Sequence, residues 1–455
     1  MKYDVIIFGG GLSGLSAAVE LASHDVSALV LEQRQHLGGR TYSFLDETTG
    51  DVVDNGQHLM MGCYRETRWL LKTIGADRLV TLQPNLHIDF LHPHHGISSL
   101  SCPALPAPFH MLWGLLGLRT LSLTDRLRLL RVGVELQRNP VKVEPKLESL
   151  TVDEWLSTLG QSAENKKYLW DIIAIGSLND DPRNVSALLF YRVLRAAFLG
   201  KRENSSLMVP RVGLSELFVE PSIRYLHSRR GEAKTGCGVE EVLSEGEHVA
   251  AARCSDGVSR GAKAFISAIP YYAFADLVAS NQQMNSRFRH TATAFESSPI
   301  VTINLWLDRA VIDQDFVAVL DSRVQWLFNK SKILTLRGRS RQYLSLVISG
   351  AVEYVEMEKD EIVRAAMEDL RRVLPQAREA NIVHSLVIKE KRATFSPKPG
   401  LEPHRPSTVT QFANLFLAGD WTNTGYPATI EGAVMSGRQA AQAAEEYLRD
   451  SSLLS

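Results

Sequence analysis

A mixed α/β (α+β) fold, built on a parallel sheet, is what this sequence predicts from three observations. Tyr3 to Phe8 (YDVIIF) is a short, β-branched apolar run that reads as a buried parallel strand. Gly9-Gly10-Gly11-Leu12-Ser13-Gly14 follows at once, then small and apolar residues at helical spacing. A second strand, Ser27 to Leu31, ends at Glu32, 21 positions after Gly11 and close to the roughly 20 expected of a ribose-binding acid.

Each piece has a physical task. Gly9 permits a tight turn, Gly11 lets backbone approach a pyrophosphate, and Gly14 lets the helix pack against the strand. Leu12, Ser13 and Gly14 form the first helical turn, whose unpaired amides and dipole favour phosphate. Glu32, with Gln33 beside it, can accept hydrogen bonds from both ribose hydroxyls and would repel a 2′-phosphate. Strand, glycines, helix, strand and acid in this order make a Rossmann-like unit.

Composition sets the outer bounds. At 455 residues, 45% hydrophobic and 22% charged, the chain has the proportions of a globular protein of two or three domains. Fifty basic against 51 acidic residues leave no overall field to recruit nucleic acid. Four widely spaced cysteines, without a Cys-x-x-Cys pair, argue against a zinc ribbon, an iron–sulfur cluster or a disulfide framework, and no metal is expected. The apolar start runs straight into the glycine loop instead of a cleavage site, so a cytoplasmic protein is expected.

Leu37-Gly38-Gly39-Arg40-Thr41 lies just beyond Glu32. Here the sequence resembles the flavin amine oxidase and phytoene desaturase superfamily, which implies the Rossmann-like FAD-binding domain of a GR2-type flavoprotein. In that family Gly38 and Gly39 would let the chain pass the pyrophosphate and Arg40 would offset its charge. Near the other end, Asn414 to Asp420 (NLFLAGD) reads as a strand ending in Gly419 and an acid, and a small-residue helix follows Thr429-Ile430-Glu431-Gly432-Ala433. This resembles the superfamily's second flavin motif. The resemblance implies that Asp420 binds the ribityl chain and that the last helix, from Thr429 and Ile430, points its N-terminus at the pyrimidine end of the ring. Ala233 to Val242 and Ala264 to Pro270 resemble the middle part of the same domain, with Val239 on the adenine side. The division expected is an FAD-binding domain in three segments, 1–85, 204–270 and 392–455, and a substrate-binding domain with a helical cap, 86–203 and 271–391.

Within the superfamily, three absences disfavour amine oxidation and covalent flavin. The strand Ile300 to Leu307 carries no lysine, Thr429 stands where an aromatic residue is usual, and no cysteine lies near Ala393 to Gly400. The FAD is therefore expected to be non-covalent. The positive sign is Asp54-Asn55-Gly56-Gln57-His58, where most of the superfamily has small residues in place of Gln57 and His58. That segment, with Pro106 to Leu116, Val209 to Phe218 and Lys391 to Phe395, resembles the hydroxysqualene dehydroxylase family over nearly the whole chain. The resemblance implies reduction of a C30 isoprenoid allylic alcohol to squalene, on the hopanoid route. A hydroxyl leaves poorly until protonated, so the site needs a general acid before hydride arrives from reduced flavin. His58 is the candidate acid, Asp54 would orient it or hold the flavin loop, and Gln57 would meet the substrate hydroxyl or the flavin. Gly56 belongs with the flavin-binding residues, and Gln57 and His58 serving only to support flavin binding is the competing reading.

Other features stand outside these motifs. Pro103 to Leu118 has no Lys, Arg, Asp or Glu and is followed by Arg119, Arg126, Arg128 and Arg131. The stretch is too short to span a bilayer; 103–131 suits a peripheral contact with the inner face of the cytoplasmic membrane, or else a buried helix over a lipid tunnel. His87, His92, His94 and His95 fit no metal template and read as a hairpin turn. Trp113, Trp170, Phe190, Tyr191, Trp306, Trp326 and Phe395 would line a tunnel or simply fill the core. Enzymes of the squalene pathway are the partners the resemblance implies. An oxidative polyene desaturase and a non-catalytic prenyl-lipid carrier remain as alternatives on the same fold.

Overall fold

The computed structural model describes residues 2–279, 281–336 and 341–453. Val5–Phe8, Ala28–Leu31, Glu232–Lys234, Ala264–Ser267 and Leu415–Leu417 form one parallel sheet. Numbered along the chain, they lie side by side in the order third, second, first, fourth, fifth, the doubly wound arrangement. Four of the five are buried at every position, because both sheet faces are covered; this is why their sequences are apolar runs without alternation.

One face is covered by the helix Leu12–Ser23 and the C-terminal helix Ile430–Leu453, which cross closely. A Cβ on Gly437 would lie 2.1 Å from both Ser13 O and Ser16 Oγ, so only glycine permits the contact. Ser16 Oγ then donates to Val434 O at 3.1 Å. On the opposite face, Phe274, Val278, Met284 and Phe288 of the helices Tyr271–Ala279 and Gln282–Thr293 pack with Ile6, Phe8, Leu29 and Phe265. Apolar packing ties these two helices to the parallel sheet, and the chain returns to the second layer at Ser297.

The second layer is a seven-stranded sheet ordered Ile382–Phe395, Ser297–Leu307, Gln342–Ser349, Trp326–Asn329, Phe316–Val319, His87–His92 and Gly96–Ser101. The helix Lys359–Val373 covers one face with Ile362, Ala366, Met367 and Leu370. Helices between 109 and 198 cover the other, and Trp155, Trp170, Phe190 and Tyr191 join Phe90, Ala318 and Phe328 in one core. A small sheet of Met60–Met61, Leu207–Pro210 and Val80–Leu82 joins segments far apart in the chain. Among the described residues, no helix is long and apolar enough to cross a membrane.

Candidate active site

The carboxyl edge of the parallel sheet gathers most of the expected cofactor residues. Gly9 has a φ of +97°, and a Cβ there would lie 2.9 Å from Ala268 O, so the turn after the first strand demands glycine. A Cβ on Gly14 would lie 1.9 Å from Gly9 O, which is how closely the helix sits on the strand end. Gly11 precedes the helix Leu12–Ser23 without a side-chain cap, and the nearest atom to a Cβ there would be Gly39 Cα, 4.0 Å away. Backbone can therefore be approached closely at the helix N-terminus. Glu32 is buried and rigid: its Oε2 accepts from the Gly10 amide at 2.7 Å and its Oε1 from the Arg34 amide at 2.8 Å.

The Gly38 amide donates to Gly10 O at 2.8 Å, which lays the Gly38-Gly39-Arg40 loop against the glycine turn. Arg40 Nη2 then reaches Asp420 Oδ2 at 2.8 Å, and its Nη1 donates to Ala393 O at 2.6 Å. The two ends of the chain are thus joined through one guanidinium. Gly419, at φ +134°, donates its amide to Ser436 Oγ at 2.9 Å. Thr429 Oγ1 accepts the Gly432 amide at 3.1 Å and so caps the helix that begins at Ile430. Val239 opens a neighbouring strand beside exposed Gln33, where a Cβ on Gly238 would lie 3.0 Å from Gln33 Cβ.

Arg405 lay outside every sequence motif. Its buried guanidinium donates to Asp420 O (2.9 Å), Thr422 O (2.5 Å) and Tyr426 O (2.7 Å) and pairs with Glu402 at 2.8 Å. It therefore holds the whole loop between Asp420 and the last helix. Only a chain already folded brings those carbonyls to one point.

The Asp54–His58 loop lies beside Arg40: Asn55 Nδ2 donates to Arg40 O at 3.5 Å. Asp54 is buried and accepts from Ser43 Oγ (2.7 Å) and the Leu214 amide (2.9 Å). Its other oxygen pairs with Lys330 Nζ at 2.7 Å. Of its two expected tasks, the hydrogen bonds match holding the loop; orienting His58 falls to a carbonyl instead. His58 Nδ1 donates to Gly56 O at 2.8 Å, which leaves Nε2 as the acceptor of the neutral ring. Burial lowers the His58 pKa below its ordinary value, and the nearby cations Arg40 and Lys330 act in the same direction. Gln57 Oε1 accepts from Lys330 Nζ at 2.7 Å, so the amide oxygen is committed.

Lys330 was missed in sequence because it starts a four-residue helix, Lys330–Ile333, with no motif around it. The strand Ser297–Leu307 has no lysine here, as read; a Cβ on Gly56 would lie 3.9 Å from its Thr302 Oγ1. The histidine cluster is a hairpin turn, with the amides of His94 and His95 donating to His92 Nδ1 at 3.1 and 3.2 Å. Cys237, Cys254 and Asp256 converge near Val239, but Asp256 already pairs with Lys234 and Arg260, both at 2.7 Å. Burial pushes the Cys237 thiol up to about 11.

Residues 12–444 match the family described as flavin containing amine oxidoreductase. The chain belongs to that family. It is an FAD-dependent oxidoreductase, and the uncapped helix N-terminus, buried Glu32 and the Arg40–Asp420 pair fit the dinucleotide this family carries. It is similar to hydroxysqualene dehydroxylase of Sinorhizobium fredii, 29% identical, with 98% of this chain and 99% of that one covered. It is also similar to zeta-carotene desaturase of Arabidopsis thaliana, 26% identical over 96% of this chain and 84% of the other. Solved structures share the fold: an oxidoreductase from Methanosarcina mazei (15% identical, TM-score 0.73, covering 96% and 99%) and cyclohexylamine oxidase from Brevibacterium oxydans (19%, 0.66, covering 98% and 99%). The two sequence relatives act on polyenes by name, which supports the chain as a polyene oxidoreductase.

Proposed function

We propose that this protein reductively removes the hydroxyl of a C30 allylic alcohol, hydroxysqualene, to yield squalene. The observation that carries the reading is the Gln57-His58 pair, fixed beside the flavin cradle by Gly56 and Lys330. Similarity to hydroxysqualene dehydroxylases of Sinorhizobium fredii and Rhodopseudomonas palustris, 29% and 28% identical over nearly full length, supports it.

FAD bound non-covalently in this cradle would, in its reduced form, supply the hydride that replaces the hydroxyl. Arg40, Asp420 and the Leu12 helix would hold the phosphate and ribityl groups, and Glu32 the adenosine ribose. His58, in its protonated form, gives its Nε2 proton to the hydroxyl so that the C–O bond breaks and water leaves. Its lowered pKa makes the imidazolium a stronger acid, though fewer molecules carry it at neutral pH. Gln57 presents its Nε2 to the same hydroxyl, because Lys330 occupies its Oε1. A prenyl-transferring enzyme that releases a C30 allylic alcohol is the class of reaction that must supply the substrate.

A second reading has its own observation. Neutral His58, with a free Nε2 lone pair, suits proton removal in an oxidative polyene desaturation. The test is anaerobic: reduce the flavin with dithionite, add hydroxysqualene, and follow flavin absorbance and product mass. Stoichiometric squalene with returning yellow colour supports the dehydroxylase. Persisting reduced flavin with no squalene sinks it in favour of the desaturase.

A further inference from the structure

A C30 isoprenoid dissolves in bilayers, not in water, and the surface carries a feature suited to that. The helix Phe109–Leu116 turns its polar-free side outward: Phe109 (60% exposed), Leu112, Trp113 (66%) and Leu116 are all exposed, at the i, i+3, i+4, i+7 spacing of one face. Its other side is anchored. His110 and Met111 are buried, His110 Nε2 lies 2.9 Å from Ser205 Oγ, and a Cβ on Gly114 would lie 2.6 Å from Cys102 Sγ.

The adjoining helix Leu123–Gln137 continues the surface with Leu123 (73% exposed) and Leu127 (58%), one turn apart. Arg126 joins the two helices, donating to Leu116 O at 3.0 Å and Leu121 O at 2.9 Å. Arg119, Arg128 and Arg131 of the same stretch are all exposed, Arg128 pairing with Asp125 at 2.9 Å; from 103 to 134 there are four arginines and one aspartate. A cavity of about 420 Å³, lined by Ala104, Leu105, Pro106, Lys201, Arg202 and Glu203, opens beside the first turn of the helix. The 203–206 segment at its wall also bonds Gly62 and Cys63, a few residues beyond His58.

We infer that this face docks on an anionic bilayer, with Phe109, Leu112, Trp113 and Leu116 entering the interface and the arginines meeting lipid phosphates. The inference rests on the polyene reading for its purpose, while binding itself is read without substrate. Rim charge distinguishes a bilayer from a second copy of the chain: identical arginine rims repel, whereas phosphates attract them.

The experiment sediments the FAD-loaded full chain with vesicles of pure phosphatidylcholine or of phosphatidylcholine with phosphatidylglycerol. The expected result is binding to the anionic vesicles, weakened by salt, lowered about fivefold for each of Arg119→Gln, Arg128→Gln and Arg131→Gln, and abolished in Trp113→Glu/Phe109→Glu. Both aromatic positions are exposed, so the double variant keeps its flavin and its turnover of detergent-dispersed substrate. Absence of vesicle binding, or binding unchanged in the double variant, overturns the inference. A wild-type dimer in light scattering that the double variant dissolves, without vesicle binding, assigns the face to a second copy instead.

Discussion

Lys330 Nζ lies 2.7 Å from Asp54 Oδ2, a buried ion pair between residues 276 positions apart. Asp54 accepts two further hydrogen bonds and Lys330 donates to Gln57, so neither charge is left uncompensated. The pair clamps the His58 loop to the short helix Lys330–Ile333, which follows the strand Trp326–Asn329 of the seven-stranded sheet.

Removing one partner leaves the other charge buried alone. Lys330→Met is expected to lose about 3–5 kcal/mol, measured by urea unfolding of the holoenzyme. Lys330→Met with Asp54→Asn should recover part of that loss. A single variant within 1 kcal/mol of wild type would show the pair to be dispensable.

In the proposed reaction His58 would govern the pH profile. Its folded pKa lies below the ordinary 6.5, so an acid role predicts turnover that falls as pH rises through that depressed value. A base role predicts the opposite slope, and His58→Gln should flatten either profile and slow turnover by roughly 10²–10⁴-fold. The same shift bears on stability. The unfolded histidine binds the proton more tightly, so this group's contribution is present above about pH 6.5 and is lost as pH falls through the folded pKa.

Arg405→Met should release the Asp420–Tyr426 loop, since the guanidinium holds three of its carbonyls. The expected outcome is loss of flavin on gel filtration, read as the ratio of visible to ultraviolet absorbance. Retention of full flavin colour would contradict this.

Gly437→Ala pushes a methyl into Ser13 O and Ser16 Oγ, both at 2.1 Å. A cost of about 1–3 kcal/mol is expected in thermal or urea unfolding, because the two helices are packed on the same sheet and cannot separate freely.

Asp171 is pushed up to about 6 by burial, and by Asp153 and Asp181 nearby. The folded carboxyl holds its proton more tightly than the unfolded one. Its contribution is therefore full below about pH 4 and is lost as pH rises toward 6. Asp171→Asn should stabilise the protein at pH 7 by about 1–2 kcal/mol, part of the shift being screened by solvent. An unchanged melting temperature at pH 7 would rule this out.

The glycine loop, Glu32, the Gly38-Gly39-Arg40 turn and the Gly419-Asp420 strand end were legible in sequence because each depends on neighbours a few residues away. A positive φ at Gly9 or a close helix contact at Gly14 imposes one residue type on one position, and that leaves a readable mark. The helices at 271–293 are a different case: they are apolar on one side, and nothing local says which sheet that side will cover.

What only the tertiary structure decided are the relationships between distant side chains. Lys330 and Arg405 are ordinary surface-type residues in sequence, and folding buries both against acceptors tens to hundreds of positions away. Likewise, the uncharged stretch before Arg119 reads equally well as core or surface. Its helix faces outward because the inner side is already filled by His110, Met111 and Gly114 against Cys102 and Ser205. Local backbone demands select residues one at a time; burial and charge pairing are properties of the assembled chain.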